Sequence, residues 1–264
     1  MNDKYPIGIF DSGVGGLSIF QEVQNLLPQE SIIYLADQKN MPYGTKTQKE
    51  IREISEKAVK FLNAQKVKLI IIACNTSTVY ALEHIRSKVQ TPIIGTVPVV
   101  KTIVESTRTG KVAVLSTPAT AKSKYLAELV KKFADGKKVY VVGETGLEEL
   151  VEASDIDNPA IRTILDKHIV PLVHKGVDSI ALACTHYPFL KDQIRKAVGY
   201  KVNIFDSGGA VARQAARVLE NNSALANNKK PNYKFFTTGE AKVFKTVAEK
   251  LLGIKLARVA HASL

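Results

Sequence analysis

Two cysteines, the only two in 264 residues, each close an apolar run that opens onto polar residues: Leu69-Ile70-Ile71-Ile72-Ala73-Cys74-Asn75-Thr76 and Ile180-Ala181-Leu182-Ala183-Cys184-Thr185-His186. Short apolar runs of this kind read as buried strands, and in open α/β sheets ligands bind just beyond the carboxyl ends of the strands. Both thiols therefore stand where a substrate would stand. A lone buried cysteine usually serves as a small hydrophobe. Two in matching positions, each followed by hydroxyl or amide side chains that can hold a thiolate's charge, point to chemistry. Two thiols facing each other across a cleft suit the inversion of a carbon centre by proton transfer. One face needs a base and the other an acid, because a single group would mostly restore the original hand. Structural zinc takes four ligands at short spacings, and neither Cys-x-x-Cys nor His-x-x-x-His occurs, so no metal is expected.

Other polar residues gather at predicted strand ends. The string Ile-Phe-Asp-Ser-Gly occurs at Ile9 to Gly13 and again at Ile204 to Gly208, each time as a strand running into a glycine turn whose backbone N–H groups could receive an anion. Self-similarity at this scale predicts two related halves, one cysteine on each side of a central cleft. For Asp11 and Asp206 the competing role is turn or helix capping. The stretch Gly13-Val14-Gly15-Gly16 imitates a dinucleotide loop, but Ser18 stands where the third glycine belongs. His186, two residues beyond Cys184, is the one histidine in a motif; His84, His168, His174 and His261 read as helix surface or tail. Asp37 and the rigid Pro42-Tyr43-Gly44 turn follow a strand and offer either a substrate wall or a purely structural corner.

The elements that would position these residues alternate. Strands are predicted at 7–10, 32–36, 69–73, 93–97, 111–115, 139–142, 180–183, 202–205 and 233–237. Helices are predicted at 17–27, 47–65, 119–133, 159–174, 188–198, up to about 219, and at 240–252. A polar stretch, 221–232, reads as a flexible connector. Such alternation means a parallel sheet covered by helices. The net charge of +12 is carried by scattered pairs such as Lys131/Lys132 and Lys137/Lys138, which reads as a solvated surface rather than a stripe for a polyanion. No run approaches the roughly 18 apolar residues of a membrane span. The opening Met1-Asn2-Asp3-Lys4-Tyr5-Pro6 lacks the apolar core of a signal peptide, so a cytoplasmic protein is expected, in which a disulfide is unexpected.

Five motifs, in order, resemble the glutamate racemase family: Ile9-Phe10-Asp11-Ser12-Gly13-Val14-Gly15-Gly16, Ala36-Asp37 followed by Pro42-Tyr43-Gly44, Ala73-Cys74-Asn75-Thr76, and Cys184-Thr185-His186-Tyr187-Pro188. The similarity runs from about residue 7 to 219. It implies a cofactor-independent racemase that interconverts L- and D-glutamate, supplies D-glutamate for peptidoglycan, and works as a homodimer with no membrane and no specific nucleic-acid partner. Its fold would be two pseudo-symmetric α/β domains, each a mainly parallel sheet covered by helices, with the active site in the cleft between them. The first domain would comprise residues 1–97 plus 208–264 and the second 98–207. By the same resemblance Cys74 and Cys184 are the acid/base thiols, Cys74 acting on the D-enantiomer and Cys184 on the L-enantiomer. Asp11 would assist near Cys74 and His186 near Cys184. Substrate contacts would fall on Asp11, Ser12, Pro42, Tyr43, Gly44, Asn75, Thr76, Thr120, Thr185 and His186.

The chain departs from the family pattern in two places. Where an Ala-Cys-Pro segment usually precedes the site glutamate, it reads Val142-Gly143-Glu144-Thr145-Gly146-Leu147-Glu148-Glu149-Leu150-Val151-Glu152. Glu152 is the first choice for the supporting glutamate, with Glu148 and Glu149 as neighbours. Ser77-Thr78 stands where Ala-Ser is commoner, a change expected to be tolerated. Two alternatives remain open at this level: a racemase of aspartate or another acidic amino acid, and a non-catalytic basic module for nucleic acid.

Overall fold

The computed structural model describes residues 2–264; Met1 lies outside the described residues. Among them ten strands follow in chain order: β1 (Ile7–Asp11), β2 (Ile32–Ala36), β3 (Leu69–Ile72), β4 (Ile93–Gly95), β5 (Lys111–Ser116), β6 (Lys138–Gly143), β7 (Ser179–Ala183), β8 (Asn203–Phe205), β9 (Tyr233–Thr237) and β10 (Val259–His261). They form one sheet in the order β10-β9-β2-β1-β3-β4 and a second in the order β6-β5-β7-β8. Every strand pairing is parallel. Helices cover both sheets, and β1, β2, β3 and β7 are buried along their whole length. Burial on both faces is why these strands read as unbroken apolar runs. No helix among the described residues is long and apolar enough to cross a membrane.

The two sheets share one design. The order β2-β1-β3-β4 recurs as β6-β5-β7-β8, so each has a reversal of direction beside its first strand, between β1 and β3 and between β5 and β7. In such sheets the crevice beyond the strand ends at the reversal is the ligand site. Cys74 follows β3 and Cys184 follows β7. The pseudo-symmetry is real, but the repeated Ile-Phe-Asp-Ser-Gly string is not its trace. One copy lies on interior β1 and the other on β8, an edge strand of the second sheet, so the two stand at non-equivalent positions.

The chain passes from the first sheet to the second after β4 and returns after β8. The two crossings are tied where Ser207 Oγ donates to the Val97 carbonyl at 2.8 Å. A single buried apolar cluster, from Ile7 and Leu17 to Leu182 and Cys184, runs through both halves.

Several helices differ from expectation for local reasons. The predicted helix 119–133 is two, Pro118–Ala121 and Lys124–Phe133, because Thr117 and Ser123 each accept a first-turn backbone N–H and start a helix of their own. The predicted 159–174 divides at Ile169 into Pro159–His168 and Val170–His174; Pro171 has no N–H to carry the ladder across. The helix expected from residue 188 begins as a 3-10 turn, Tyr187–Leu190, and becomes α-helical at Lys191–Val198. The connector 221–232 is pinned rather than loose. Buried Lys68 donates to the Ala224 carbonyl at 2.7 Å and pairs with Glu30 at 2.6 Å, while Glu30 accepts the Ala226 N–H at 2.8 Å.

Candidate active site

The first thiol is placed by the change from strand to helix. Cys74 ends the apolar run of β3 and caps the helix Asn75–Arg86, its Sγ accepting the Ser77 N–H at 3.4 Å. That N–H belongs to the first helical turn and has no partner within the helix. Cys74 is 5% exposed. Burial pushes its thiol well above the ordinary range and the Asp11 carboxylate adds to this, while the Ser77 N–H and the Ser12 hydroxyl pull it back. Asp11, at the end of β1, is fully buried. One of its oxygens accepts the Gly13 N–H at 3.0 Å and the other the Thr185 hydroxyl at 3.1 Å. Burial raises the Asp11 carboxyl, against the pull of His186.

The second thiol heads a polar chain. Cys184 Sγ lies 3.6 Å from His186 Nδ1, and His186 Nε2 lies 2.8 Å from Glu152 Oε1. The same carboxylate accepts the Val14 N–H, and its other oxygen accepts the Gln38 amide at 2.7 Å. Glu152 is therefore held by the second half through His186 and by the first half through Val14 and Gln38. Burial works against a charged His186, but Cys184 and Glu152 outweigh it and hold the imidazole well above its usual pKa. Cys184 is pushed up to about 11, by burial first and by the charge of Glu148 second, with His186 opposing both. Glu152, despite burial, is held below the usual carboxylate range by its bonds to His186, Gln38 and Val14. Of the three neighbouring glutamates, Glu152 alone carries the bond to His186; Glu149 is exposed, and Glu148 is buried with Oε2 unpartnered.

Threonine hydroxyls also join the two halves. Thr76 Oγ1 lies 2.9 Å from Thr117 Oγ1 and 3.1 Å from Thr120 Oγ1. Tyr43 donates to Asp37 at 2.7 Å, and Thr238 and Asn40 donate to the same carboxylate, so Asp37 braces the Pro42-Tyr43-Gly44 turn. Gly44 lies close to Thr117, whose Cβ would stand 3.0 Å from an added Cβ. Asn75 donates to the Thr96 carbonyl at 3.0 Å. The glycine loop has a tertiary reason: a Cβ at Gly13 would fall 1.9 Å from Glu152 Oε1, and one at Gly15 would fall 2.4 Å from His186 Nδ1. Asp206 is a turn residue beside the crevice that Cys184 and Thr185 line, accepting the Gly208 N–H at 2.7 Å and pairing with Lys191. Ser77 is accommodated by a 2.6 Å hydroxyl pair with buried Ser55.

Sequence reasoning missed Gln38 and Thr117, and it named Glu148 only as an alternative to Glu152. Thr117 has a signal in hindsight, since Thr117-Pro118 closes β5, the strand at the second reversal. Gln38 has none, because its partners are 114 and 199 residues away. Both thiols are nearly inaccessible to solvent, and the crevice touching Cys184, Thr185, Asn75 and Thr96 offers about 10 Å³, room for one water at most. Among the described residues no cluster of three His, Cys, Asp or Glu side chains has the form of a metal site.

Comparison with known proteins identifies the family. The Asp/Glu/Hydantoin racemase family matches residues 16–215. The glutamate racemase of Deinococcus radiodurans is 43% identical over 222 residues, covering 83% of this chain and 77% of that protein. Glutamate racemase isoform RacE1 from Bacillus anthracis superposes with a TM-score of 0.89 at 30% identity, over 100% of this chain and 99% of that one. The Escherichia coli glutamate racemase, solved with L-glutamate and the activator UDP-MurNAc-ala, superposes with a TM-score of 0.85 at 29% identity, over 98% of each chain. The chain is an enzyme of the Asp/Glu/hydantoin racemase family and belongs with its glutamate racemases.

Proposed function

We propose that the protein interconverts L- and D-glutamate by proton transfer between Cys74 and Cys184, without pyridoxal phosphate or metal. The product would supply peptidoglycan synthesis in the cytoplasm, with the enzyme working as a homodimer. One observation carries the reading: two buried thiols at equivalent strand ends of two facing sheets, each with its own proton-handling partner.

In the L-to-D direction Cys184 acts as thiolate and takes the α-proton. His186, protonated on both nitrogens, steadies that thiolate through Nδ1 and is itself held by Glu152 through Nε2. Cys74 then gives its proton to the opposite face, ending as thiolate, and Asp11, whose charge acts on Cys74, assists on that side. The reverse direction exchanges the two roles. Both thiols are protonated in the free enzyme, so the base is made when substrate arrives, by loss of one thiol proton to bulk solvent before the lobes close. The substrate's ammonium supplies an opposite charge that favours the thiolate. Ser12, Asn75, Thr76, Thr120, Thr185 and the Tyr43-Gly44 turn offer the neutral donors that hold its carboxylates.

With both thiols buried, substrate enters by separation of two lobes, residues 1–97 plus 208–264 against 98–207. The hinge is the pair of crossings joined at Ser207 and Val97. The reading is tested by α-proton exchange in heavy water with each enantiomer of glutamate and aspartate. Exchange of both glutamate enantiomers, persisting after dialysis against chelator and a carbonyl reagent, is the expected result. Exchange of aspartate alone would assign the other acidic substrate, and loss of exchange after dialysis would overturn the cofactor-free mechanism.

A further inference from the structure

The substrate class poses an electrostatic difficulty. A dicarboxylic amino acid brings two negative charges into a buried site already holding Asp11 and Glu152. Proteins usually meet a carboxylate with arginine or lysine. Here His186 is the positive charge among the leading influences on Asp11, Glu148, Glu152 and Cys184, and no lysine or arginine figures among those influences. Recognition must run largely through neutral donors.

Glu148 looks like the wrong residue for that task. It is 8% exposed, and its Oε2 has no hydrogen-bond partner. Its Oε1 would lie 3.5 Å from a Cβ at Gly44, with Thr117 against the same glycine. The carboxyl thus borders the turn that walls the site. A buried carboxylate with an unpaired oxygen is far costlier than the neutral acid. The neutral acid in turn has an O–H that the protein leaves unused.

We propose that Glu148, as a neutral carboxylic acid, donates a hydrogen bond to the substrate carboxylate lying along the Tyr43-Gly44 turn, and so acts as a binding and specificity residue. The inference rests on the reading of the site as one for a dicarboxylic amino acid. An O–H donor paired with an ionised acceptor makes one of the stronger hydrogen bonds available to a protein. It also adds no further charge to the site.

The surroundings keep the proton in place. Burial, the largest influence, raises the carboxyl to about 7; His186 opposes, and Glu149, Asp11 and Glu152 reinforce. Cys184 and Tyr187 feel the same carboxylate in turn, and the phenol of Tyr43 on the adjoining turn is pushed upward by burial. None of these three is an acid near neutrality that could take over the role.

The test is the pH dependence of KM and kcat for L- and D-glutamate with the wild type, Glu148→Gln and Glu148→Leu. With one proton required and a pKa of about 7, KM of the wild type should rise about tenfold from pH 6 to pH 8, with kcat changing less. Both variants should have a flat KM over that range. Glu148→Leu should raise KM about tenfold or more at pH 6, and Glu148→Gln, which keeps a neutral donor, only a few-fold. A wild-type KM that stays flat, a Glu148→Gln enzyme that reproduces the wild-type rise, or a Glu148→Leu enzyme with wild-type KM at pH 6 would overturn the proposal while leaving racemisation intact. If Glu148→Leu does not fold, the comparison of wild type with Glu148→Gln decides alone. A wild type that exchanges no glutamate α-proton would instead remove the reading beneath it.

Discussion

Cys74 and Cys184 occupy equivalent places in two sheets of the same strand order, yet their surroundings differ in kind. After β3 the chain enters a helix at once, and Cys74 becomes its cap, held by a backbone N–H and close to Asp11. After β7 the chain makes a turn through Thr185 and His186 before the 3-10 segment, which leaves Cys184 Sγ free to meet an imidazole backed by a carboxylate. Topology supplies two opposed thiols, and the local turn decides how each one's proton is managed. The first face relies on helix-terminus donors and a raised carboxyl. The second relies on a charged relay that is complete only when the two halves meet at Glu152.

The largest effect expected from breaking this pair comes from the thiols themselves. Cys74→Ser and Cys184→Ser should each lower racemisation by on the order of 10³-fold or more, since a hydroxyl is a far weaker acid than a thiol; steady-state assays in both directions check this. Next, His186→Asn should lower α-proton exchange from the L-enantiomer by on the order of 10²-fold and affect the D-enantiomer less. Exchange rates for the two enantiomers, measured separately in heavy water, separate these outcomes.

A third prediction concerns stability and touches only the Cys184 side. The Glu148 carboxyl is raised from 4.5 to about 7 in the folded protein. The folded state then binds more protons than the unfolded state between those values, so this group's contribution to stability is lost as pH rises through them. Glu148→Gln should be more stable than wild type at pH 8, by up to roughly 3 kcal/mol, and converge with it near pH 4.5. Thermal unfolding across that range would show it. The smallest effect belongs to Gln38, which ties Glu152 to Thr237. Losing one hydrogen bond to a charged group should cost about 10-fold in α-proton exchange from the L-enantiomer, the Cys184 face alone. An equal loss on both faces of Gln38→Ala would mean that the amide serves lobe closure rather than the relay.

Much of this contrast was legible in the sequence, and the illegible part has a common cause. Interior strands such as β3 and β7 are buried along their whole length and almost wholly apolar because both faces are covered, so the cysteines that follow them stand out in the sequence. The helix Asn75–Arg86 buries Asn75, Thr76, Ser77 and Thr78 in its first turn, and polar residues on the inner face erase the apolar period that marks a helix. The Ile-Phe-Asp-Ser-Gly repeat misled for a related reason: a strand followed by an Asp-x-Gly turn is a local solution that serves β1 and β8 alike. Both aspartates accept the N–H two residues on, but only Asp11 also meets a group from the opposite half. Contacts such as Gln38 with Glu152 and Thr76 with Thr117 join distant stretches and leave no local pattern.

The division of work between the two faces is most directly tested by elimination from a glutamate analogue bearing a good leaving group, because that reaction needs a base on one face only. Measured with each single-cysteine variant and both enantiomers, Cys184→Ser should still act on the D-analogue through Cys74, and Cys74→Ser should still act on the L-analogue through Cys184. Equal damage toward both enantiomers in both variants would contradict a face-specific role for each thiol and with it the two-base mechanism.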